Sequence, residues 1–338
     1  MQSLPRSDTV SQDDDGLAQA VDTLAGRAAA ARAEIGRVIL GQDQVVEQVL
    51  VALLAGGHAL LVGVPGLGKT LLVETLGTVL GLTPKRVQFT PDLMPADITG
   101  SEVLDEAGGR RQFRFIPGPV FCQLLMADEI NRASPRTQSA LLQAMQEGRV
   151  AVAGEDHPLP RPFHVLATQN PIEQEGTYPL PEAQLDRFLL QIDVTYPALE
   201  AERAMLLATT GADVVRPRPV LTADELLAAQ RLIRQVPVGN TVIDAILRLV
   251  REGRPETSTL SMVRQHVAWG PGPRAAQALM LGVRARAVLD GRLAPSLDDV
   301  AALAGPVLRH RMALSFAARA DGVALPDVIG ALVTGMTV

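Results

Sequence analysis

Hydrophobic residues recur along this chain with two different periods, and the changes of period mark the predicted elements. Residues 17–37 and 43–54 carry apolar side chains at helical spacing, with Val45, Val46 and Val49 on one broad apolar face. The pattern then changes to short, continuous apolar runs, which are typical of strands buried on both faces. These runs predict five strands, at residues 59–62, 86–89, 120–126, 163–168 and 188–194.

Helical stretches separate most of the predicted strands, at residues 69–80, 136–146 and 181–186. Strands and helices in alternation predict a mostly parallel, doubly wound sheet. Two segments interrupt the alternation, at residues 102–115 and 149–162, and both have the pattern of a β-hairpin. We expect these hairpins to project from the sheet as insertions.

The pattern beyond residue 216 is helical throughout. Residues 216–219 read Arg-Pro-Arg-Pro, which predicts a stiff linker. Capping boxes that begin at Thr222 and Ser296 predict two helix starts, and Pro273 suits the first turn of a third helix. A chain of 338 residues is long enough for two domains. We therefore predict a disordered acidic tail over residues 1–16, an α/β domain over 17–215 and a smaller all-helical domain over 216–338.

Composition and charge narrow the function classes. Apolar residues make up 47% of the chain and aromatic residues 3%, so the core must consist mainly of Ala, Val, Leu and Ile. The net charge of −6 provides no broad attraction for nucleic acid or anionic membrane. The single cysteine, Cys122, precludes an internal disulfide. No signal-peptide pattern occurs, and no run reaches the ~18 apolar residues of a membrane span. We expect a soluble, cytoplasmic protein.

The segment between the first predicted strand and the next helix matches the P-loop pattern in full, reading Gly-Val-Pro-Gly-Leu-Gly-Lys-Thr. Its glycines allow backbone N–H groups to converge on phosphate oxygens, and the helix N-terminus adds positive potential. Lys69 then faces the β- and γ-phosphates, while Thr70 offers a hydroxyl to Mg²⁺. The sequence therefore predicts ATP and Mg²⁺ as cofactors, bound at Gly63, Val64, Pro65, Gly66, Leu67, Gly68, Lys69, Thr70 and Leu71.

Two carboxylates, Asp128 and Glu129, follow the third predicted strand. Ligands in nucleotide-binding sheets lie at the carboxyl ends of strands, so this position suits a nucleotide site. Asp128 can hold Mg²⁺ through water, and Glu129 can orient and deprotonate the attacking water. Because Glu129 has no role in simple nucleotide binding, the pair predicts hydrolysis.

One amide and two arginines complete the predicted catalytic set. Asn170 ends the fourth predicted strand, and its neutral side chain can position the attacking water without altering the charge balance. Arg187 precedes the fifth strand and Arg274 opens a C-terminal helix. A guanidinium that reaches the γ-phosphate in the transition state accelerates transfer by roughly 10³-fold or more. Spacing alone does not assign Arg187 or Arg274 to its own or a neighbouring chain, and leaves Arg132 and Arg136 open as further contacts across an interface.

Taken together, these motifs resemble the MoxR family of AAA+ ATPases over about residues 38–312. The resemblance implies a P-loop NTPase domain of the AAA+ type with a mostly parallel five-stranded sheet, followed by a smaller helical lid. The motif at residues 175–188 is the most specific of those given next, since ordinary P-loop enzymes lack it. The motifs are Val-Ile-Leu-Gly-Gln at 38–42, the P-loop, Phe-Arg-Phe-Ile-Pro-Gly-Pro at 113–119, Ala-Asp-Glu-Ile-Asn-Arg-Ala at 127–133, Thr-Gln-Ser-Ala-Leu-Leu at 137–142, Ala-Thr-Gln-Asn-Pro at 167–171 and Glu-Gly-Thr-Tyr-Pro-Leu-Pro-Glu-Ala-Gln-Leu-Asp-Arg-Phe at 175–188.

The resemblance implies a role for each candidate residue. Asp128 and Glu129 resemble the Walker B pair, and Asn170 resembles sensor 1. Arg187 resembles the arginine finger that reaches the neighbouring subunit's nucleotide. Arg274 resembles sensor 2, which acts from the lid on the nucleotide of its own subunit. The segment that packs near adenine in the family corresponds here to Val38, Ile39, Gly41 and Gln42.

The resemblance also implies how such a chain works. Family members are chaperone-like machines that form a homo-oligomeric ring, expected to be a hexamer, and help the maturation of a protein client, often by metal or cofactor insertion. They are often paired with a protein that carries a von Willebrand factor A domain. The two predicted hairpins match the helix-2 and pre-sensor-1 insertions of this clade. One departure is Gly270-Pro271-Gly272 before Pro273, where family members more often have Ala-Ser.

Three other functions remain open at this stage. A nucleic-acid motor is one, because related clades with the same hairpins include helicases and the first hairpin carries Arg110, Arg111 and Arg114. The acidic net charge makes a nucleic-acid partner unexpected. A second is a chelatase ATPase subunit that drives metal insertion into a tetrapyrrole. A third is a nucleotide-dependent scaffold with low turnover.

Overall fold

The computed structural model describes residues 9–107, 110–172, 176–211 and 215–336. Its strands are β1 (Ala59–Val62), β2 (Pro84–Gln88), β3 (Gly100–Ala107), β4 (Arg110–Pro117), β5 (Leu124–Asp128), β6 (Arg149–Val152), β7 (Glu155–Pro158), β8 (His164–Gln169), β9 (Leu190–Asp193), β10 (Val267–Trp269) and β11 (Ala313–Leu314). Its helices are α1 (Thr9–Gly36), α2 (Asp43–Leu54), α3 (Lys69–Val79), α4 (Pro95–Thr99), α5 (Pro135–Glu147), α6 (Glu182–Leu185), α7 (Leu199–Thr210), α8 (Ala223–Gln235), α9 (Asn240–Glu252), α10 (Ser261–His266), α11 (Pro273–Leu289), α12 (Leu297–Leu308), α13 (Phe316–Ala320) and α14 (Leu325–Met336).

Five strands form a parallel sheet in the order β2-β5-β8-β1-β9. Alternate residues of each strand belong to different faces, as the period of two requires. Leu61 and Met126 pack on the face covered by α2 and α3, whereas Leu60 and Leu125 pack on the face covered by α5. The predicted doubly wound sheet is confirmed. Because all five strands are parallel, their carboxyl ends lie at one edge and their amino ends at the opposite edge.

The third predicted strand is displaced along the chain. The apolar run was predicted to be a strand from residue 120, but β5 begins at Leu124 and residues 120–123 form a turn and bend. Val120 is fully buried, and its N–H donates to the carbonyl oxygen of Ile98 (3.2 Å) at the base of the first hairpin. An apolar run indicates burial, and burial alone does not distinguish a strand from a buried turn.

Both predicted hairpins are present as two-stranded antiparallel ladders, β3–β4 and β6–β7. The turn predicted at Gly108-Gly109 lies outside the described residues. The second hairpin turns at residues 153–154, where Ala153 and Gly154 both adopt positive φ. Neither hairpin pairs with a strand of the central sheet, in agreement with their prediction as insertions.

The first helix is longer than its prediction. It begins at Thr9, within the segment predicted to be a disordered tail, while residues 1–8 lie outside the described residues. Residues 9–15 contain neither proline nor glycine, so nothing in them interrupts the helical backbone. Further along, α1 buries Val21, Ala31 and Ile35 and contacts α2, α3, α8 and α11. The hydrophobic core therefore continues across the boundary predicted at residue 216.

The C-terminal region contains the helices α8 to α14. Helix α11 packs against α8, α9 and α12, while α14 packs against α9 and α12. The region was predicted to be all-helical, but β10 and β11 add a short antiparallel ladder in which Val267 pairs with Leu314. Strands of two or three residues are too short to show the alternation that identifies a strand in the sequence. Within the described ranges, no helix combines the length and apolar character needed to cross a bilayer.

A buried histidine, His164, lies where β8 begins and is 1% exposed. Its Nδ1 is 2.8 Å from the carbonyl oxygen of Gly57, and its Nε2 is 2.9 Å from the amide nitrogen of Gln230. The carbonyl needs a donor and the amide nitrogen needs an acceptor, so the ring carries one proton, on Nδ1. Burial lowers the pKa of His164 to about 4. The folded protein therefore holds this ring neutral at pH values where an exposed histidine is charged.

This depressed pKa predicts loss of stability in mild acid. Below the unfolded pKa of 6.5, the unfolded chain binds a proton at His164 that the folded chain does not bind. The folded state is therefore fully stable above pH 6.5 and loses stability as the pH falls toward the folded pKa of about 4. Between pH 7.5 and pH 5, His164 is expected to lower the free energy of unfolding by about 2 kcal/mol. Urea unfolding measures the free energy of unfolding at each pH. The decrease in this free energy from pH 7.5 to pH 5 should be about 2 kcal/mol smaller in His164→Gln than in the wild type. Equal pH differences in the two proteins would contradict the assignment.

Candidate active site

The P-loop connects the carboxyl end of β1 to the amino end of α3. Gly66 and Gly68 adopt φ values of 85° and 72°, a left-handed conformation that side-chain-bearing residues rarely take. The N–H of Gly63 donates to the carbonyl oxygen of Gln169 at the end of β8 (3.1 Å). The loop is thus anchored to the sheet at its start and to a helix at its end, with the two left-handed glycines between.

The segment predicted to lie near adenine is adjacent to this loop. Gln42 donates from Nε2 to the carbonyl oxygen of Leu67 (2.9 Å), which joins the segment to the P-loop directly. Gly41 has a φ of 70° and lies against Ala201 of α7 so closely that a Cβ at position 41 would overlap it. Ile39 is buried in the core and Val38 packs against the core.

Lys69 lies within the P-loop and near both predicted carboxylates. Its Nζ donates to the carbonyl oxygen of Gly63 (2.5 Å). Burial lowers the pKa of Lys69, and the charges of Asp128 and Glu129 oppose that effect. Thr70 follows Lys69 in the first turn of α3 and is half-buried. The structure therefore brings the P-loop and the predicted Walker B pair together.

Asp128 ends β5 and is held by two neighbours. Thr168 on β8 donates its hydroxyl to Oδ1 of Asp128 (2.5 Å). Arg86 on β2 donates to Oδ2 from Nη2 (2.6 Å) and from Nε (3.2 Å). The carboxylate predicted to face Mg²⁺ therefore forms an ion pair with the guanidinium of Arg86.

Glu129 follows Asp128 with a φ of 54°, one of two non-glycine residues with positive φ in the part of the chain that the structure describes. Such a backbone costs on the order of 1–3 kcal/mol and is concentrated at functional sites. Its N–H donates to the hydroxyl of Thr168 (2.8 Å), which stabilises this conformation. Its Oε2 accepts from Nε2 of Gln88 (2.8 Å) and from Nη1 of Arg132 (3.2 Å).

Asn170 follows β8, between the ends of β5 and β1, and is 6% exposed. Its Oδ1 accepts from the N–H of Ile172 (3.1 Å). This bond orients the side-chain amide at the edge of the sheet that also carries Gly63 and Asp128. The four predicted residues Lys69, Asp128, Glu129 and Asn170 therefore share one edge.

Sequence reasoning missed three residues of this edge: Arg86, Gln88 and Thr168. Arg86 and Gln88 are two apart on β2, so they lie on the same face of the strand, and Gln88 is in register with Asp128. The available signal was the pair of polar residues at alternate positions of β2, because such a pair places both side chains on one face of the strand. The strand order that makes β2 the neighbour of β5 was not visible in the pattern.

Arg187 and Arg274 lie together, but at the other edge of the sheet. Both line a cavity of about 260 Å³ whose wall includes residues 55–58, which precede β1, and Leu189, which precedes β9. Nη1 of Arg274 lies 3.8 Å from Oδ2 of Asp186. Nε of Arg187 is buried and makes no hydrogen bond to the described residues.

The position of Arg274 bears on its expected role as sensor 2. Sensor 2 was expected to act on the nucleotide of its own subunit, yet the cavity lies before β1 and the P-loop lies after it. The four residues of β1 alone span about 13 Å. Arg274 therefore lies with Arg187 at the edge of the sheet opposite its own P-loop.

Comparison with known proteins identifies a family for each of the two parts of the chain. Residues 58–190 match the sequence family described as the ATPase family associated with various cellular activities (AAA). Residues 260–329 match the family described as the AAA lid domain. The first span contains the P-loop, Asp128, Glu129, Asn170 and Arg187, and the second contains Arg274. The fold predicted from the sequence and the matched families therefore agree in both parts of the chain.

Several relatives resemble the chain over most of its length. Chaperone MoxR1 from Mycobacterium tuberculosis is 44% identical over 316 residues, which cover 93% of this chain and 82% of that protein. The uncharacterized protein YeaC from Bacillus subtilis is 40% identical, over 90% of this chain and 92% of that one. Protein MoxR from Paracoccus denitrificans is 32% identical, over 84% and 88% respectively.

A solved structure has the same fold. The crystal structure of a proposed ATPase from Cytophaga hutchinsonii superposes with a TM-score of 0.87 at 34% identity, over 96% of this chain and 97% of that one. The complete P-loop and carboxylate pair, the two matched families and the long alignments with MoxR proteins lead to one conclusion. The chain belongs to the MoxR family of AAA+ ATPases.

Proposed function

We propose that this chain hydrolyses Mg-ATP at the edge of the sheet where β1, β5 and β8 end. The observation that carries the proposal is the convergence of Lys69, Asp128 and Glu129 at that edge, where both carboxylates act on the pKa of the lysine. A lysine on a P-loop suits the phosphates. The carboxylates suit the cation and the attacking water that hydrolysis requires.

The residues at this edge fit Mg-ATP. A Cβ at Gly66 or Gly68 would meet no atom within 4 Å, so the loop borders open space at both glycines. Among the described residues, no group of three His, Cys, Asp or Glu side chains can hold a metal. Thr70 and Asp128 would therefore hold Mg²⁺ together with phosphate oxygens, the usual mode for this ion. Bound Mg-ATP supplies the γ-phosphoryl group and the cation that neutralises its charge.

Each residue of the site has a separate role in this proposal. The backbone N–H groups of the P-loop and Lys69 bind the phosphates, and the segment from Val38 to Gln42 contacts the base. Glu129 orients the attacking water and accepts its proton, and Asn170 positions the same water. Gln88 and Arg132 donate to the Glu129 carboxylate, and Arg86 donates to that of Asp128. In the proposed mechanism, the attacking water and the cation would compete with these donors.

The site is completed by a neighbouring copy of the chain. Arg187 and Arg274 lie at the edge opposite the P-loop, so one copy offers nucleotide at one edge and guanidinium groups at the other. Contact between unlike edges is heterologous, and it closes into a ring when the rotation permits. We propose a hexameric ring in which Arg187 and Arg274 both stabilise the charge of the next subunit's γ-phosphate.

The ring is proposed to remodel a protein client. The relative from Mycobacterium tuberculosis is named a chaperone. Loss of the γ-phosphate on hydrolysis removes contacts that hold the interface and the lid, and such loss commonly moves the segments involved. We propose that this motion drives chaperone-like maturation of a client, including metal or cofactor insertion, with a von Willebrand factor A domain protein as partner.

The assembly part of this proposal predicts a concentration effect. Steady-state ATPase activity per mole of chain is expected to rise with protein concentration and to level off when ring formation is complete, because each site needs a neighbour's arginines. The measurement is initial phosphate release over a dilution series at saturating Mg-ATP, with light scattering for the mass. Specific activity that stays constant on dilution to the monomer would contradict the proposal.

A further inference from the structure

Arg311 is one of the largest fully buried side chains of the described residues, with 2% of its surface exposed. It follows α12 in the lid, and its N–H donates to the carbonyl oxygen of Leu308 (2.8 Å). A guanidinium has five N–H donors in one plane. All five have an acceptor here: Nε with Asp186 Oδ1 (2.7 Å), Nη1 with the carbonyl oxygens of Leu189 (3.1 Å) and Val307 (2.7 Å), and Nη2 with those of Asp186 (3.2 Å) and Phe188 (2.5 Å).

These acceptors lie on both sides of Arg187. Asp186 precedes Arg187, while Phe188 and Leu189 follow it, so the same guanidinium holds the backbone before and after it. The bond to Val307 ties that guanidinium to α12 in the lid. The backbone that carries Arg187 is therefore joined to the lid by several short hydrogen bonds.

Asp186 extends this connection to Arg274. Its Oδ1 accepts from Arg311, and its Oδ2 lies 3.8 Å from Nη1 of Arg274. One carboxylate is thus shared between a buried arginine and an arginine whose side chain is about half-exposed, at 49%. Asp186 also lines the cavity, and it connects Arg274 and Arg311 beside the backbone of Arg187.

We propose that Arg311 is a positioning residue that holds Arg187 and Arg274 as one unit. This inference rests on the proposed function, in which those two arginines act on a neighbour's nucleotide. A planar fork with all donors engaged resists rotation more than a flexible ammonium does. Movement of the lid therefore moves Arg187 and Arg274 together, which links the lid of one subunit to hydrolysis in the next.

The substitution Arg311→Lys tests this proposal, because it keeps the charge and removes the planar fork. Misplacement of a catalytic group by about 1 Å costs on the order of 10²-fold in rate. We expect kcat to fall about 10- to 100-fold, with KM for ATP within about threefold, since the variant's own P-loop edge is unchanged.

A control is available in the same lid, at an arginine that is more exposed than Arg311. Arg292 donates to Asp299, a fully buried carboxylate, in a pair that does not line the cavity. Arg292→Lys makes the same chemical change in another lid ion pair, so it measures the general effect of weakening the lid. We expect Arg292→Lys to leave kcat close to that of the wild type. A kcat for Arg311→Lys no lower than that of Arg292→Lys would overturn the proposal.

Mixed rings separate a positioning role from a folding defect. Arg311→Lys subunits mixed with Lys69→Ala subunits are expected to regain activity, because the second variant supplies intact arginines to the first variant's P-loop. Arg311→Lys mixed with Arg187→Ala is expected to regain none, because both variants are impaired at the same edge. Activity that does not recover with Lys69→Ala would overturn the positioning role.

Asp186→Asn keeps the inference testable if Arg311→Lys fails to fold. The asparagine keeps an oxygen acceptor for Arg311 and loses the charge that faces Arg274, so we expect the same edge-specific defect in a milder form. An Arg187→Ala and Lys69→Ala mixture that regains nothing contradicts the proposed function itself. Recovery in that mixture without recovery for Arg311→Lys or Asp186→Asn contradicts only the inference about Arg311.

Discussion

Glu129→Gln is expected to lower kcat for ATP hydrolysis by about 10²–10⁴-fold, the usual contribution of a general base. Gln is close to Glu in size, so it can still accept from Gln88 and Arg132 and should preserve the left-handed backbone at this position. It cannot accept a proton from water, and this loss falls on the chemical step. Phosphate release at saturating Mg-ATP measures kcat, and equilibrium binding of a fluorescent ATP analogue measures affinity.

The contrast between turnover and binding makes the Glu129 result specific. We expect nucleotide affinity to stay within a few-fold of the wild type, because the P-loop and Lys69 are untouched. Glu256→Gln, an exposed carboxylate in the helical region, is the matched control and should leave both quantities unchanged. Turnover that persists in Glu129→Gln would exclude this residue as the base, and loss of ATP binding would instead indicate collapse of the site.

Arg187→Ala is expected to lower kcat by about 10³-fold, the lower end of the effect of an arginine finger. Nε of Arg187 is buried without a hydrogen-bond partner among the described residues, so this N–H can still donate to an acceptor on a neighbouring chain. The variant should still bind ATP, because its P-loop lies at the opposite edge. Arg251→Ala, an exposed arginine in the last turn of α9, serves as the control.

A mixing experiment decides whether Arg187 acts across the interface. Arg187→Ala and Lys69→Ala are each expected to be nearly inactive alone. Mixed in equal amounts, they form interfaces in which an intact P-loop meets an intact Arg187, so activity should return. If Arg187 acted within its own chain, every site in the mixture would lack either Lys69 or Arg187, and the mixture would stay inactive.

Strand β2 supplies a hydrogen-bond partner to each carboxylate of the predicted Walker B pair. Arg86 donates to the carboxylate of Asp128, and Gln88 donates to the carboxylate of Glu129. Both donors lie on β2, the strand next to β5. In the proposed mechanism, the cation at Asp128 and the attacking water at Glu129 would compete with these partners.

The sequence by itself determined the chemistry of the P-loop edge. The conformation of residues 63–70 depends on local glycines and on the helix that follows, so the motif predicts its own structure. Asp128, Glu129 and Asn170 follow apolar runs, and parallel strands bring their carboxyl ends to one edge. The placement of Lys69 near Asp128 and Glu129 follows from these local rules and the alternation of strands with helices.

Only the tertiary structure decided which distant segments meet. The order that sets β2 beside β5 brings Arg86 to Asp128, and the docking of the lid brings Arg274 and Arg311 to Asp186. These partners lie 42, 88 and 125 residues apart in the chain, counted from 128−86, 274−186 and 311−186. No periodic pattern encodes such pairings, because they depend on how whole elements pack. The sequence could therefore name Arg187 and Arg274, but their common position opposite the P-loop arose only from the packing of the lid against the sheet.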